Sequence, residues 1–90
     1  MTENELKAEV LRIAKANGWL VYHVTQAKVR GSQGRGYPDL TLARGGTVLH
    51  MELKQDHGNL TQEQREWIAA LPWAMVIRPA DLPTVAELLA

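Results

Sequence analysis

The sequence predicts an α/β domain in which a mixed sheet is flanked by helices. Three observations carry that expectation. Apolar residues recur at helical spacing in three separate stretches, short runs rich in β-branched residues lie between them, and a Gly-Gly pair joins two of those runs. A chain of 90 residues has room for a single core, so residues 1–90 are read as one domain.

From Thr2 to Asn17, Leu6, Val10, Ile13 and Ala14 recur at spacings of three and four. Thr2 followed by Glu5 is a capping box, and Gly18 is the stop. The run WLVYHV, residues 19–24, reads as a strand, and the glycine-rich, basic stretch 26–36 as a long loop of the kind that is usually functional or disordered. Pro38–Arg44 and Thr47–Lys54 are strand-like runs joined by Gly45-Gly46, whose turn positions both need positive φ. Leu60–Leu71 returns to helical spacing, with Thr61 as N-cap, Gln64 three residues on and Pro72 as the stop. Residues 74–78, AMVIR, form a short buried strand, and Asp81–Leu89 a last helix with Pro83 in its first turn. The expected order is α-β-β-β-α-β-α.

Composition narrows the chemistry. The absence of cysteine excludes a disulfide framework and a thiolate metal site. No apolar run approaches the roughly 20 residues a membrane span needs, and the amino terminus is acidic where a secretory signal is basic. A soluble, cytoplasmic protein without a membrane partner is therefore expected. Net charge is zero but uneven: between Lys28 and Arg44 four basic residues face one acid, whereas residues 60–90 carry two basic and four acidic residues. A polyanion would thus be gripped locally, with little long-range steering.

The hairpin places the chemistry. If Gly45-Gly46 makes a two-residue turn, paired residues have numbers summing to 91, and Asp39 lies across from Glu52. Opposed residues on one face have Cβ atoms about 4.5–5.5 Å apart, a distance at which two carboxylates repel. A divalent cation between them resolves the conflict, because Mg²⁺ takes oxygen ligands including one or two carboxylates. Strand alternation puts Lys54 on the Glu52 face, where its ammonium can offset charge on a phosphate, and leaves the Leu53 carbonyl between them as a third candidate ligand.

PD at 38–39 followed by ELK at 52–54 resembles the PD-(D/E)xK nuclease superfamily, whose core has the order α-β-β-β-α-β. The longer pattern resembles the VRR-NUC family of small phage and bacterial nuclease domains, with Gly36, Pro38, Asp39, Glu52, Lys54, Thr61, Gln64 and Trp67 matching one by one. The resemblance implies a restriction-endonuclease-like core with a C-terminal helix and Mg²⁺- or Mn²⁺-dependent hydrolysis of DNA to a 5′-phosphate and a 3′-hydroxyl. Asp39, Glu52, Lys54 and Gln64 would serve catalysis, and Asp39, Glu52 and Leu53 would hold the metal.

The superfamily also implies an acidic residue on the first helix. Relative to the apolar face, Glu3 falls roughly 40° away, Glu9 roughly 80° and Glu5 roughly 120°. Glu3 is the better aimed, Glu9 the runner-up, and Glu5 is left for the capping box. Lys28, Arg30 and Arg35, in the loop leading to Asp39, are candidates for contacts to DNA phosphates. His23, His50 and His57 read as packed or hydrogen-bonded residues, and Trp67, Trp73 and Ile68 as core or subunit interface. The expected partner is branched DNA, above all a four-way junction, resolved by a homodimer because cutting two strands needs two sites. A flap, nicking or linear-DNA nuclease, or a catalytically silent DNA-binding scaffold, are the rival expectations.

Overall fold

A computed structural model describes residues 1–23 and 34–90 of the chain. It is a mixed α/β fold with helix α1 (Glu3–Ala16), strands β1 (Leu20–His23), β2 (Leu40–Arg44) and β3 (Thr47–Leu53), helix α2 (Gln62–Ala70), strand β4 (Ala74–Ile77) and helix α3 (Leu82–Leu89). The strands lie in the order β1-β2-β3-β4; the first two pairings are antiparallel and the last, across α2, is parallel. Among the described residues no helix is long and apolar enough to cross a membrane.

Local chemistry sets the boundaries. Thr2 and Glu5 close a reciprocal capping box on α1, and Thr61 and Gln64 do the same for α2. Leu71, the residue before Pro72, has left the helix for extended backbone at ψ 138°, as a following proline demands. Gly45 and Gly46 have φ of 55° and 84°, the two positive values that a tight hairpin turn requires. Arg44 then pairs with Thr47 and Leu40 with Met51, so the register sums to 91 as the sequence predicts.

Several ends differ from expectation. The β2 ladder begins at Leu40 because Pro38 has no N–H to give it. β1 starts at Leu20 and leaves Trp19 to turn inward, where its indole N–H donates to the Leu89 carbonyl at 2.8 Å. A turn of 3-10 helix, Pro79–Asp81, precedes α3.

The sheet is buried on both sides at its centre. Leu40, Leu42, Leu49, Met51 and Leu53 share one face and pack with Leu6, Val10 and Ala14 of α1 and Val85 and Leu89 of α3. The other face is covered near β3 by α2 and by Tyr37, whose ring meets Trp67 edge-on at 4.9 Å and His50 at 5.9 Å. Both faces of β3 are therefore dry, which is why His50 and Glu52 are its two buried polar residues.

Arg44, counted above with the basic cluster, is structural. Its guanidinium lies 4.4 Å from the Trp19 ring and donates to the carbonyls of Asn17, Leu89 and Ala90, so one side chain ties the ends of α1 and α3 to the hairpin. Arg44→Ala should lower the unfolding free energy in urea by about 1–3 kcal/mol, since three carbonyls lose a charged donor. Arg44→Lys, without the planar fork, should recover only part of that loss.

Candidate active site at the end of the hairpin

The site forms where the β2–β3 ladder runs out. Beyond Leu40 the chain bends at Asp39, and its Oδ2 accepts the Leu53 N–H at 2.9 Å. Continuing the register beyond Leu40–Met51 puts Asp39 opposite Glu52 and, two residues on, Pro38 opposite Leu53. The even residues of β3 spend their N–H groups on β4, His50 on Trp73 and Lys54 on Ile77, so the N–H and carbonyl of Leu53 both point towards β2. There the N–H finds the Asp39 carboxylate, while the carbonyl meets a proline with nothing to donate. Among the described residues the ladder thus offers the Leu53 oxygen no backbone donor at Pro38, on the edge of β3 where Asp39 takes the Leu53 N–H.

Glu52 is 3% exposed. Its pKa is pushed up from 4.5 to about 8, first by burial, then by the Asp39 charge and a hydrogen bond shared with Asp39; Lys54 pulls it back and Glu3 adds to the rise. At neutral pH burial and the neighbouring Asp39 therefore favour the protonated form of Glu52. No group of three or more His, Asp or Glu is gathered closely enough to hold a metal among the described residues. What they present is two carboxyls in contact, with Glu3 near enough for its charge to be felt.

Gln64 is held in one orientation. Its Oε1 accepts the Thr61 N–H at 2.9 Å in the capping box, so its Nε2 is the end that faces Glu52, donating to Oε2 at 3.1 Å. The cap of α2 and the carboxyl of β3 are thereby one hydrogen-bonded chain. Gly36 makes this possible. With φ 86°, it lies so close to α2 that an added Cβ would sit 2.6 Å from the Glu63 carbonyl carbon and 2.7 Å from the Gln64 nitrogen. Trp67 Nε1 donates to the Arg35 carbonyl at 3.0 Å and completes the attachment of the 35–37 segment to α2.

The structure sorts the remaining candidates. Glu3 is the first-helix acid whose charge reaches Glu52, whereas Glu9 pairs with Arg12 at 3.1 Å on an exposed face and Glu5 closes the cap. Arg35 lines an open cleft of about 380 Å³ together with Glu63, Glu66, Trp67 and Ala70, so its positive charge stands beside two acids. Lys28 and Arg30 lie outside the described residues. His50 bonds Thr41 at 3.1 Å and is packed, as expected, and His23 meets the Lys7 ammonium at 3.4 Å. Trp73 is not core: it is 72% exposed and has a φ of 54°. Sequence reasoning missed the clamp on α2, although the glycine and aromatic that make it, Gly36 and Tyr37, are adjacent in the chain.

No protein-family model, curated protein or solved structure matches the chain.

Two outcomes follow from this geometry. Below about pH 4.5 Glu52 is neutral whether the chain is folded or not, and burial has no charge to oppose; as pH rises, the unfolded chain ionises first and the folded one keeps its proton up to about pH 8. Stability should therefore fall across that window, by up to about 1.4 kcal/mol per pH unit, and level off above it. Glu52→Gln reproduces the protonated carboxyl, so its chemical-denaturation stability should lack that slope and exceed the wild-type value at pH 8. In Gly36→Ala the new methyl collides with helix backbone, and a thermal melt should show a loss of about 1–3 kcal/mol.

Proposed function

We propose that this protein is a Mg²⁺- or Mn²⁺-dependent DNA endonuclease of the PD-(D/E)xK type, close in kind to the VRR-NUC domains that its sequence resembles. The observation that carries the reading is the buried carboxyl pair at the hairpin end, where Asp39 meets both Glu52 and the Leu53 N–H. Burial favours a proton on Glu52, and among the described residues the ladder offers the Leu53 carbonyl no backbone donor at Pro38. Such a set is costly in a resting fold and suits a hard cation that keeps some of its water. A divalent ion held by Asp39, Glu52 and the Leu53 carbonyl, with Glu3 behind them, would supply an activated water and neutralise charge on the phosphate.

The chain's own groups do the rest. Asp39 and Glu52 give up their shared proton to become a pair of ligands, and the Gln64 amide keeps Glu52 Oε2 in place. The Lys54 ammonium, on the Glu52 face, offsets charge that grows on the phosphate as water adds to phosphorus. The ester bond to the 3′ oxygen breaks, that oxygen takes up a proton, and the products are a 5′-phosphate and a 3′-hydroxyl. Arg35, with Lys28 and Arg30, contacts phosphates beside the scissile bond. A second copy supplies the second site needed to cut a four-way junction symmetrically.

Labelled four-way junction, flap and linear duplex are incubated with Mg²⁺, Mn²⁺ or EDTA, and oligomeric state is followed by sedimentation. Cleavage should require the metal, favour the junction, come from a dimer, and fall about 10²- to 10³-fold in Lys54→Ala. Binding without metal-dependent cleavage of any substrate would replace this reading with that of a DNA-binding scaffold.

A further inference from the structure

The geometry points to Arg78 as the positioning residue for Lys54, acting through the turn at residues 55–58. This rests on the nuclease reading only for its kinetic consequence; the mechanical link stands on contacts. β4 ends at Ile77, whose carbonyl accepts the Lys54 N–H at 3.0 Å, so Lys54 and Arg78 leave adjacent strands side by side. The Arg78 backbone is locked by the 3-10 turn: its N–H donates to Asp81 Oδ2 at 2.8 Å, and its carbonyl accepts the Asp81 N–H at 2.8 Å. From that fixed base Nη1 donates to the carbonyls of Gln55 at 2.6 Å and Gly58 at 2.9 Å, with Asp56 further off at 3.4 Å.

Backbone carbonyls are the guanidinium's acceptors here, so what Arg78 holds is the path of the chain immediately after Lys54. That path matters because Lys54 lies along it. A Cβ built on Gly58 would stand 3.5 Å from Lys54 Cδ, so the turn runs alongside the lysine stem, which passes next to the Gly58 α-hydrogens. The same turn, through Gln55, Asp56, His57 and Gly58, lines an open cleft of about 430 Å³ whose other side is Met1 and Thr2, next to Glu3. One cation thus fixes the turn that flanks the lysine and borders the cleft.

A side chain with four carbons between backbone and ammonium is easily misaimed, and a displacement of about 1 Å at a reacting group can cost about 10²-fold in rate. Arg78 therefore matters to kcat through Lys54 and leaves substrate binding unchanged.

Two readouts on the full chain test this. The first needs no activity: an NMR contact between the Lys54 δ-protons and the Gly58 α-protons should be present in the wild type and absent in Arg78→Met. Hydrogen exchange at Leu42 and Met51 reports that the fold is intact. The second is a kinetic cycle on the cleaved substrate. Arg78→Met should lower kcat about 10- to 10²-fold with KM unchanged, and should cause no further loss in a Lys54→Ala background. Persistence of the NMR contact in Arg78→Met, or losses that multiply in the double variant, would overturn the assignment. If Arg78→Met does not fold, Arg78→Lys carries the same readouts, because the lysine side chain is one bond shorter and its ammonium stops short of the point from which Nη1 bonds both close carbonyls. A wild-type protein that cleaves nothing removes the nuclease reading, and the NMR contact still decides whether Arg78 positions Lys54.

Discussion

The structure turns on two carboxyl groups that cannot both be ionised in the dry space at the end of the β2–β3 hairpin. Asp39 is satisfied by the Leu53 N–H, so the burden of neutrality falls on Glu52, 3% exposed and covered by the first turn of α2. Removing a carboxylate from water without a partner is expensive, and the fold meets this by keeping a proton on the pair and presenting an amide to it. The elements around the site follow from that need. β3 must be central to keep Glu52 dry, α2 must lie close enough for Gln64 to reach it, and Gly36 must lack a side chain so that α2 can.

Register is what makes the opposition unavoidable. A turn of two glycines fixes the pairing sum at 91, and a shift of one residue would send one carboxyl through the sheet to the Leu6 and Val10 side. Pro38 then has a role beyond starting a strand. Placed across from Leu53, it withholds the one N–H that would otherwise engage the Leu53 carbonyl, so among the described residues the ladder offers that oxygen no backbone donor. Proline and aspartate at 38–39 thus act together, one by omitting a donor and the other by taking over the partner's N–H.

Much of this was legible in the chain because it is encoded locally. Capping boxes span four residues, the glycine turn spans two, and the hairpin register follows by counting; the contact of Gln64 with the site followed from the family resemblance. What could not be read depends on residues far apart in sequence. Gly36 gives no sign that its empty side is filled by the backbone of Glu63 and Gln64, and Arg44 resembles any surface cation until three helix-end carbonyls converge on it. The fraying of predicted strand ends at Pro38, Lys54 and Arg78 has one cause. Pattern reading follows side-chain polarity, whereas a ladder ends when a backbone donor or acceptor is missing or diverted.

On the nuclease reading, a proton held by a buried pair would also let one site be both stable and reactive. Burial keeps a proton on Glu52, and the Lys54 ammonium opposes that rise in its pKa. On the same reading, Asp39 and Glu52 would hold a divalent ion here once the proton had left, and the burial that raises the Glu52 pKa would strengthen that hold, since low polarity magnifies every attraction within it. The Lys54 charge would then be available to a phosphate. That exchange succeeds only if the ammonium stays aimed while its electrostatic partner changes, which requires the lysine stem to be held by packing. The turn beneath Lys54, drawn tight by a guanidinium on the neighbouring strand, supplies a hold of that kind, because its hydrogen bonds to carbonyls do not depend on the protonation state of the pair.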